Sequence, residues 1–380
     1  MEKIYFDNAS TTPVDPDVVG AMMPYFNERF GNASSPHAYG REAHKALEEA
    51  RECLADFIGA NSDEIIFNSG ATEANNHAII GVARSKRNKD KHIIVSSIEH
   101  HSVLEPIEYL RKHEGYEVTT MEVDGDGLVN PQDIKKAITD QTILVAVMYA
   151  SNEIGTIQPI AEIGTMTKEH NVLFLVDAVQ AVGHIPVNVN DLNADLLSLS
   201  AHKFYGPKGI GALYIRKGTE IAPFLLGGGQ EHGRRSSTQN VAGAVGLAQA
   251  VRLCDQRMGE EIAFQTKLRN KLLKEIPQKI EGVKINGHIS RRLPNNAHFS
   301  FEQLQSESLL MSLDMVNIAA SMGSACASGA LSVSHVLRAI GLSDELAYGA
   351  LRITLGRWTT EDQIDYFLEQ LPELVKSLRI

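Results

Sequence analysis

Leu173-Phe174-Leu175-Val176-Asp177-Ala178-Val179-Gln180 is the stretch on which the fold turns. Four apolar residues in succession, with no polar alternation, describe a strand covered on both faces, as in a parallel sheet. The run ends on a carboxylate, Asp177, with Gln180 three residues further on. Four more runs of this kind lie on either side: Ile65-Ile66-Phe67, Ile93-Ile94-Val95, Ile143-Leu144-Val145-Ala146-Val147 and Leu196-Leu197-Ser198-Leu199. Helical patterns separate them, among them 132–137 and 160–170. Strands alternating with helices argue an α/β architecture.

Ligands of open α/β sheets bind beyond the carboxyl ends of the strands. The residues that follow the apolar runs are Asn68-Ser69-Gly70-Ala71-Thr72, Glu99-His100-His101, Asn152-Glu153, Asp177-Ala178-Val179-Gln180 and Ser200-Ala201-His202-Lys203. They supply an acid, a lysine, imidazoles and a turn of small residues. A charged aromatic cofactor that carries a phosphate needs such groups.

Composition narrows the partners. The 380 residues are 43% hydrophobic and 22% charged, close to ordinary globular usage, which excludes fibrous and disordered classes. With 47 acidic against 36 basic residues the formal charge is −11, so direct binding of nucleic acid or an anionic membrane is not expected. Three cysteines, Cys53, Cys254 and Cys326, do not form a disulfide framework and point to a reducing cytoplasm. No secretory leader is expected from residues 1–8, and no apolar run is long enough to span a membrane. Past residue 250 the character changes to a long amphipathic helix over 260–276 and shorter, mixed strands, so a second, smaller α+β unit is expected there.

Each constellation has a plain structural reading beside its chemical one. Gly70-Ala71-Thr72-Glu73 follows a strand and opens a helix pattern, where free N–H groups and a hydroxyl can take an anion. An ordinary helix cap reads the same way. Asp177 can hold a protonated pyridine nitrogen or form a structural ion pair. Lys203 can form a Schiff base or stand in solvent, and Ser200 and His202 can add phosphate contacts. Arg352 and Arg357 flank Ile353-Thr354-Leu355-Gly356, and either guanidinium can clamp a carboxylate or pair with a neighbouring acid. Cys326 lies in Ser321-Met322-Gly323-Ser324-Ala325-Cys326-Ala327-Ser328-Gly329, where no apolar stripe claims it, whereas Cys53 and Cys254 sit in helix-like segments as small hydrophobes. Asp124-Gly125-Asp126-Gly127 lacks the ligand spacing of a calcium loop and reads as a turn. There is no Gly-x-Gly-x-x-Gly after a first strand, and His100-His101 has no companion ligands, so neither a dinucleotide nor a metal is expected.

The order of these motifs resembles the cysteine desulfurases, pyridoxal-phosphate enzymes of the class V aminotransferase group, over essentially the whole chain. The resemblance runs from Tyr5-Phe6-Asp7-Asn8-Ala9-Ser10-Thr11-Thr12 through Gly70-Ala71-Thr72-Glu73-Ala74-Asn75-Asn76, Asn152-Glu153-Ile154-Gly155 and Asp177-Ala178-Val179-Gln180. It continues through Ser200-Ala201-His202-Lys203-Phe204-Tyr205-Gly206-Pro207-Lys208-Gly209 and Gly227-Gly228-Gly229-Gln230-Glu231 to Gly323-Ser324-Ala325-Cys326 and Leu355-Gly356-Arg357. The Gly-Ser-Ala-Cys form is similar to the iron–sulfur-assembly and tRNA-thiolation branch with a long cysteine loop.

The resemblance implies the type I fold of pyridoxal-phosphate aminotransferases, with a mostly parallel seven-stranded sheet. It implies a large cofactor domain over 15–250 and a small domain, formed by 1–14 and 251–380, that carries the cysteine loop. It also implies roles. Lys203 bonds pyridoxal 5′-phosphate, Asp177 pairs with its pyridine nitrogen and Gln180 with its ring hydroxyl, and His100 stacks on the ring. Ala71, Thr72, Ser200 and His202 take the phosphate, joined by Thr238 from the neighbouring subunit of a homodimer. Asn152 and Arg352 contact the carboxylate of L-cysteine, and Cys326 is the nucleophile that takes the sulfur as a persulfide and leaves L-alanine. A sulfur-acceptor protein, either a cluster scaffold or a tRNA-thiolating enzyme, is implied as a partner. Selenocysteine lyase or a small-amino-acid aminotransferase of the same fold is the alternative. An aminotransferase has no use for Cys326, and a non-catalytic binding protein has no use for Lys203, Asp177, His100 and Cys326 together.

Overall fold

The computed structural model describes residues 3–85, 90–323 and 333–379. Twelve strands lie among them: β1 (Ile4–Tyr5), β2 (Ile65–Asn68), β3 (His92–Ser96), β4 (Glu117–Met121), β5 (Thr142–Met148), β6 (Leu173–Asp177), β7 (Leu196–Ser200), β8 (Gly211–Ile215), β9 (Val283–Ile285), β10 (Asn296–Phe301), β11 (Ile318–Ala319) and β12 (Ala350–Thr354). Seven of them form one sheet in the order β2-β8-β7-β6-β5-β3-β4. The pairs β7-β6, β6-β5, β5-β3 and β3-β4 are parallel, and β8 runs antiparallel to both β7 and β2. All five apolar runs read as strands fall in this sheet. The chain thus has the mostly parallel seven-stranded α/β sheet that the resemblance implies.

Alternation along each strand explains why those runs are continuous. Val145 and Val147 face one apolar layer while Leu144 and Ala146 face the other, and Phe174 and Val176 oppose Leu175 in the same way. With helices on both faces, neither parity of position meets water.

A second apolar cluster gathers residues from both ends of the sequence. Ile4 and Phe6 pack with Leu268, Leu272, Phe299, Ile318, Leu351 and Phe367. Strands β9, β10 and β12 form an antiparallel sheet in the order β12-β10-β9, and β1 pairs with β11 in parallel. The helix expected over 260–276 is far longer, Val241–Lys279. It runs unbroken through position 250. Along it, Ala244 to Cys254 pack on the large sheet's core and Leu268 to Ile276 on the second cluster.

No helix among the described residues is long and apolar enough to cross a membrane.

Candidate active site

The carboxyl ends of β6 and β7 lie side by side, and each ends on a polar residue. Asp177 closes β6 with 6% of its surface exposed. Its Oδ1 accepts from the Val179 amide (3.1 Å) and its Oδ2 from Asn75 Nδ2 (2.9 Å). The other Asn75 amide proton goes to Ser102 Oγ (2.9 Å), and the Ser102 hydroxyl donates to His100 Nδ1 (2.8 Å). A directed chain therefore links Asp177 to His100. Because the Ser102 amide also donates to Nδ1 (3.0 Å), the proton of a neutral His100 sits on Nε2. Burial pulls the His100 pKa down; the Asp177 charge opposes this and the Lys203 charge adds to it. Asn75 and Ser102 had no place in the residue-by-residue reading. Asn75 lies within the segment 70–76, and only the fold brings it to a carboxylate 102 positions away.

Beside this chain Glu99 is fully buried, and burial pushes its carboxyl up to about 8. Its Oε1 accepts from Ser96 Oγ (2.6 Å) and from the Met148 amide (2.7 Å), tying the ends of β3 and β5 together next to His100.

Beyond β7 a single turn, Ala201–Lys203, carries the lysine. The Lys203 amine donates to the carbonyls of Ala9 and Ser10, both at 2.7 Å. Gln180 Nε2 donates to the same Ala9 carbonyl (2.9 Å), so residues 7–12 form a strap across the lysine. Thr12 fixes the strap, since its amide (2.9 Å) and hydroxyl (3.0 Å) both donate to the His202 carbonyl. The Thr12 hydroxyl also accepts from the Tyr205 amide (2.8 Å). Tyr205 sits at φ +68, costly for a bulky residue and held only where neighbours over-determine it. They do so here, because its hydroxyl accepts from the Arg357 amide (2.6 Å) and the Arg357 guanidinium lies 4.1 Å from its ring centroid. On the far side of the turn, His184 Nε2 meets the Lys203 carbonyl at 3.0 Å.

An anion cradle opens next to the lysine. Gly70 stands at φ +144 as N-cap of the helix Ala71–Ala83, which no side chain caps. Half-buried Ala71 and exposed Thr72 begin that helix. A Cβ at position 70 would come to 3.4 Å from Ser200 Oγ, so the missing side chain keeps the buried serine open to the helix end. His202 Nδ1 meets Thr11 Oγ1 at 3.1 Å, and burial, helped by the charges of Lys203 and Lys208, lowers its pKa to about 4. At neutral pH His202 is therefore uncharged.

Arg352, 2% exposed, closes the opposite wall from β12. Its Nη1 donates to the carbonyls of Asn152 (2.8 Å) and Gly323 (3.2 Å), and its Nη2 to Asp7 Oδ1 (2.7 Å) and Ser10 Oγ (2.8 Å). Its buried Nε has no partner among the described residues. Asp7 and Ser10 belong to the strap that holds Lys203, so one segment touches both cations. Arg357 does not face this space. It pairs with Asp15 (2.7 Å) and Glu261 (2.6 Å) behind the Tyr205 ring.

Thr238 lies exposed on the surface of the chain, apart from these groups. Cys326 falls outside the described residues. Of the other two cysteines, burial pushes Cys254 up to about 12 and raises Cys53, which keeps both as thiols. No cluster of potential metal ligands occurs among the described residues.

The class-V aminotransferase family matches residues 4–367, and the chain belongs to it. Within that family its similarity is to cysteine desulfurases. The protein named cysteine desulfurase IscS of Dictyoglomus turgidum is 52% identical over 377 residues, covering 99% of this chain and 95% of the relative. A solved NifS-like protein shares 39% identity with a TM-score of 0.93, covering 99% of this chain and all of that one. A structure of SspA in complex with cysteine shares 37% identity with a TM-score of 0.82, covering 94% of this chain and all of that one.

Proposed function

We propose that the chain is a cysteine desulfurase that uses pyridoxal 5′-phosphate to convert L-cysteine to L-alanine and leaves the sulfur on Cys326. The observation that carries this is the convergence, at the carboxyl ends of β6 and β7, of the Lys203 amine, the Asp177–His100 chain and, through a shared strap, the Arg352 guanidinium. The residues present fit the cofactor. The open helix end at Gly70 and the vacant approach to Ser200 suit its phosphate, and a buried carboxylate suits its ring nitrogen.

Lys203 is the residue to bond the cofactor, Asp177 to hold its pyridine nitrogen, Gln180 to meet its hydroxyl and His100 to lie beside its ring. Ala71, Thr72, Ser200 and His202 receive its phosphate, and Arg352 with Asn152 receives the substrate carboxylate. When bound there, pyridoxal phosphate supplies an electron sink for the substrate Cα. Lys203, once its amine is free, moves a proton at Cα. Asp177, fixed by Asn75 and the Val179 amide, is the group that would hold the ring nitrogen. The Cys326 thiolate attacks the substrate sulfur. An S–S bond forms as the Cβ–S bond breaks, the electron pair goes to carbon, and protonation gives the methyl group of alanine.

A homodimer fits two observations. Met23, Phe26, Phe30 and Tyr39 are exposed near one another in sequence, with the Phe30 and Tyr39 rings 5.5 Å apart, a patch suited to a second copy. Thr238 is exposed, as a residue that serves a neighbour's phosphate cradle must be. We place the enzyme in the cytoplasm, where free Cys53 and Cys254 remain reduced. Its persulfide goes to an acceptor protein, either a cluster scaffold or a tRNA-thiolating enzyme.

The test is turnover of labelled cysteine by two variants. Cys326→Ala keeps the cofactor's visible absorbance and releases no sulfur, whereas Lys203→Ala loses the covalently bound cofactor. Normal alanine production by Cys326→Ala would sink the proposal. Faster turnover of selenocysteine than of cysteine by the unaltered enzyme would favour a lyase instead. Light scattering gives the dimer, and transfer of labelled sulfur to candidate acceptors identifies the partner.

A further inference from the structure

Glu73 stands in the first turn of the helix Ala71–Ala83, at the end that the cofactor's phosphate would meet. A carboxylate there competes with any other anion for the same helix end. Its charge is nevertheless secure. Burial opposes ionisation, but hydrogen bonds from Arg235 and from the Ser69 amide outweigh it and hold the Glu73 pKa below the usual carboxylate range. The Arg235 fork is bidentate: Nε donates to Oε1 at 2.7 Å and Nη2 to Oε2 at 3.1 Å. Both side chains are largely enclosed, Arg235 at 15% and Glu73 at 11% exposed. Glu73 Oε2 also accepts from the Ser69 amide (2.9 Å), just before the Gly70 cap. Among the described residues Arg235 is the one cation in an ion pair with Glu73. His77 cannot stand in for it, because burial lowers the His77 pKa to about 4.

The cradle carries a second mark of a ligand. Asn68 is 4% exposed; its Oδ1 accepts from the Gly70 amide (2.9 Å), while its buried Nδ2 has no partner among the described residues. Arg235 reaches the cradle from a loop with anchors of its own. Glu231, in the same loop, takes both prongs of buried Arg51 (2.7 and 3.0 Å). It also accepts from the Phe67 amide (2.8 Å) of β2, the strand that leads to Gly70. The Ser236 amide donates to the Leu225 carbonyl (3.1 Å), and the Ser237 amide to Gln230 Oε1 (3.1 Å). None of these bonds uses the Arg235 side chain.

We propose that Arg235 is a positioning residue for the phosphate cradle: it cancels the Glu73 charge and holds that carboxylate on the Ser69 amide, which keeps the helix end open to the cofactor's phosphate. The inference rests on the pyridoxal-phosphate reading and adds to it a residue that acts through Glu73. Without the guanidinium, a carboxylate and a phosphate would share one helix end. Like charges at a partly buried site repel several times more strongly than in bulk water. A charge-assisted, two-pronged pair removes that repulsion and fixes the carboxylate in place.

The experiment titrates the full chain, freed of cofactor, with pyridoxal 5′-phosphate or with pyridoxal, which lacks the phosphate. Binding is read from the visible absorbance of the complex. Arg235→Ala should raise the dissociation constant for pyridoxal 5′-phosphate by about 10- to 100-fold and that for pyridoxal by less than about 3-fold. Adding Glu73→Gln to Arg235→Ala should recover most of the loss, since the repelling charge is gone and the Ser69 amide keeps its acceptor. Unchanged binding of pyridoxal 5′-phosphate by Arg235→Ala would overturn the proposal. So would an equal loss for both ligands, which marks general damage, or a double variant as weak as the single one. If Arg235→Ala does not fold, Glu73→Gln decides alone: its preference for pyridoxal 5′-phosphate over pyridoxal should rise by about 3-fold or more, and an unchanged or lower preference overturns the proposal. An unaltered chain that takes up no pyridoxal 5′-phosphate would sink the cofactor reading itself, whereas the variants bear on Arg235 alone.

Discussion

Arg352 and Arg357 stand five positions apart, both nearly fully buried, and they serve opposite sides of Lys203. Arg352 looks into the site. Among the described residues, three of its four partners are a hydroxyl and two backbone carbonyls; only Asp7 bears charge, and Nε has no partner there. Arg357 is closed off, with two carboxylates, Asp15 and Glu261, and the face of Tyr205. Each also depresses a buried histidine. After burial itself, the Arg352 charge helps lower His298 to about 3, and the Arg357 charge helps lower His184 to about 4. The difference teaches that a buried guanidinium paired with a single carboxylate, its other partners being neutral acceptors, still has donor capacity for a ligand. An arginine already paired with two acids braces the fold instead.

The sharpest way to break this contrast is Arg357→Ala. It removes the nearest cation from Asp15, whose side chain is 4% exposed and which keeps Arg257 at 3.4 Å, and should cost about 3 kcal/mol in urea unfolding. The KM for cysteine should stay within about twofold; a raised KM at unchanged stability would reverse the assignment of the two arginines.

Arg352→Lys should act the other way. It keeps a charge but loses the fork, so kcat/KM for cysteine should fall by about 100-fold, some 2–3 kcal/mol, with the loss in KM and the cofactor absorbance intact. Equal damage with a substrate analogue lacking the carboxylate would remove the clamp from the mechanism.

The smallest effect is in pH. His184 has a folded-state pKa near 4 against an ordinary 6.5, so the unfolded chain binds its proton first as pH drops. Its contribution is complete above 6.5, declines below that value and levels off near 4. Between pH 6.5 and 5.5, His184→Gln should reduce the fall in unfolding free energy by about 1 kcal/mol. An unchanged slope would show that this histidine does not titrate as its surroundings behind Lys203 require.

Much of the scaffold could be read from residue order, because a strand buried on both faces cannot hide its composition. The runs around Ile66, Ile94, Val145, Leu175 and Leu197 all lie in one sheet. The helix Val241–Lys279 was legible only in its second half. Its first turns carry Gly243 and Gly246 among alanines and valines, with no polar face to mark a period, because that end is enclosed; a Cβ at 246 would come to 2.5 Å from Met22 Sδ. At the site, the chemical types at strand ends were visible, but their mutual supports were not. Asn75 and Ser102 join Asp177 to His100 across three elements, and Asp7 meets Arg352 over 345 positions. No local pattern encodes such pairings. The run Asp7-Asn8-Ala9-Ser10-Thr11-Thr12 was the one hint, a cluster of small polar residues assigned to no element and no role.

The strap has a temporal consequence. Residues 7–12 shelter Lys203; Thr12 ties one end of them to His202, but Asp7, Asn8 and Ala9 are secured through Arg352 and Thr354, which leave the ribosome far later. From Ile215, where the last strand of the large sheet ends, to Thr354 is roughly 140 residues, so at ~5–20 residues per second the delay is roughly 7–28 s. Throughout it, the nascent chain carries a finished seven-stranded sheet whose reactive amine lies under a strap tied at one end.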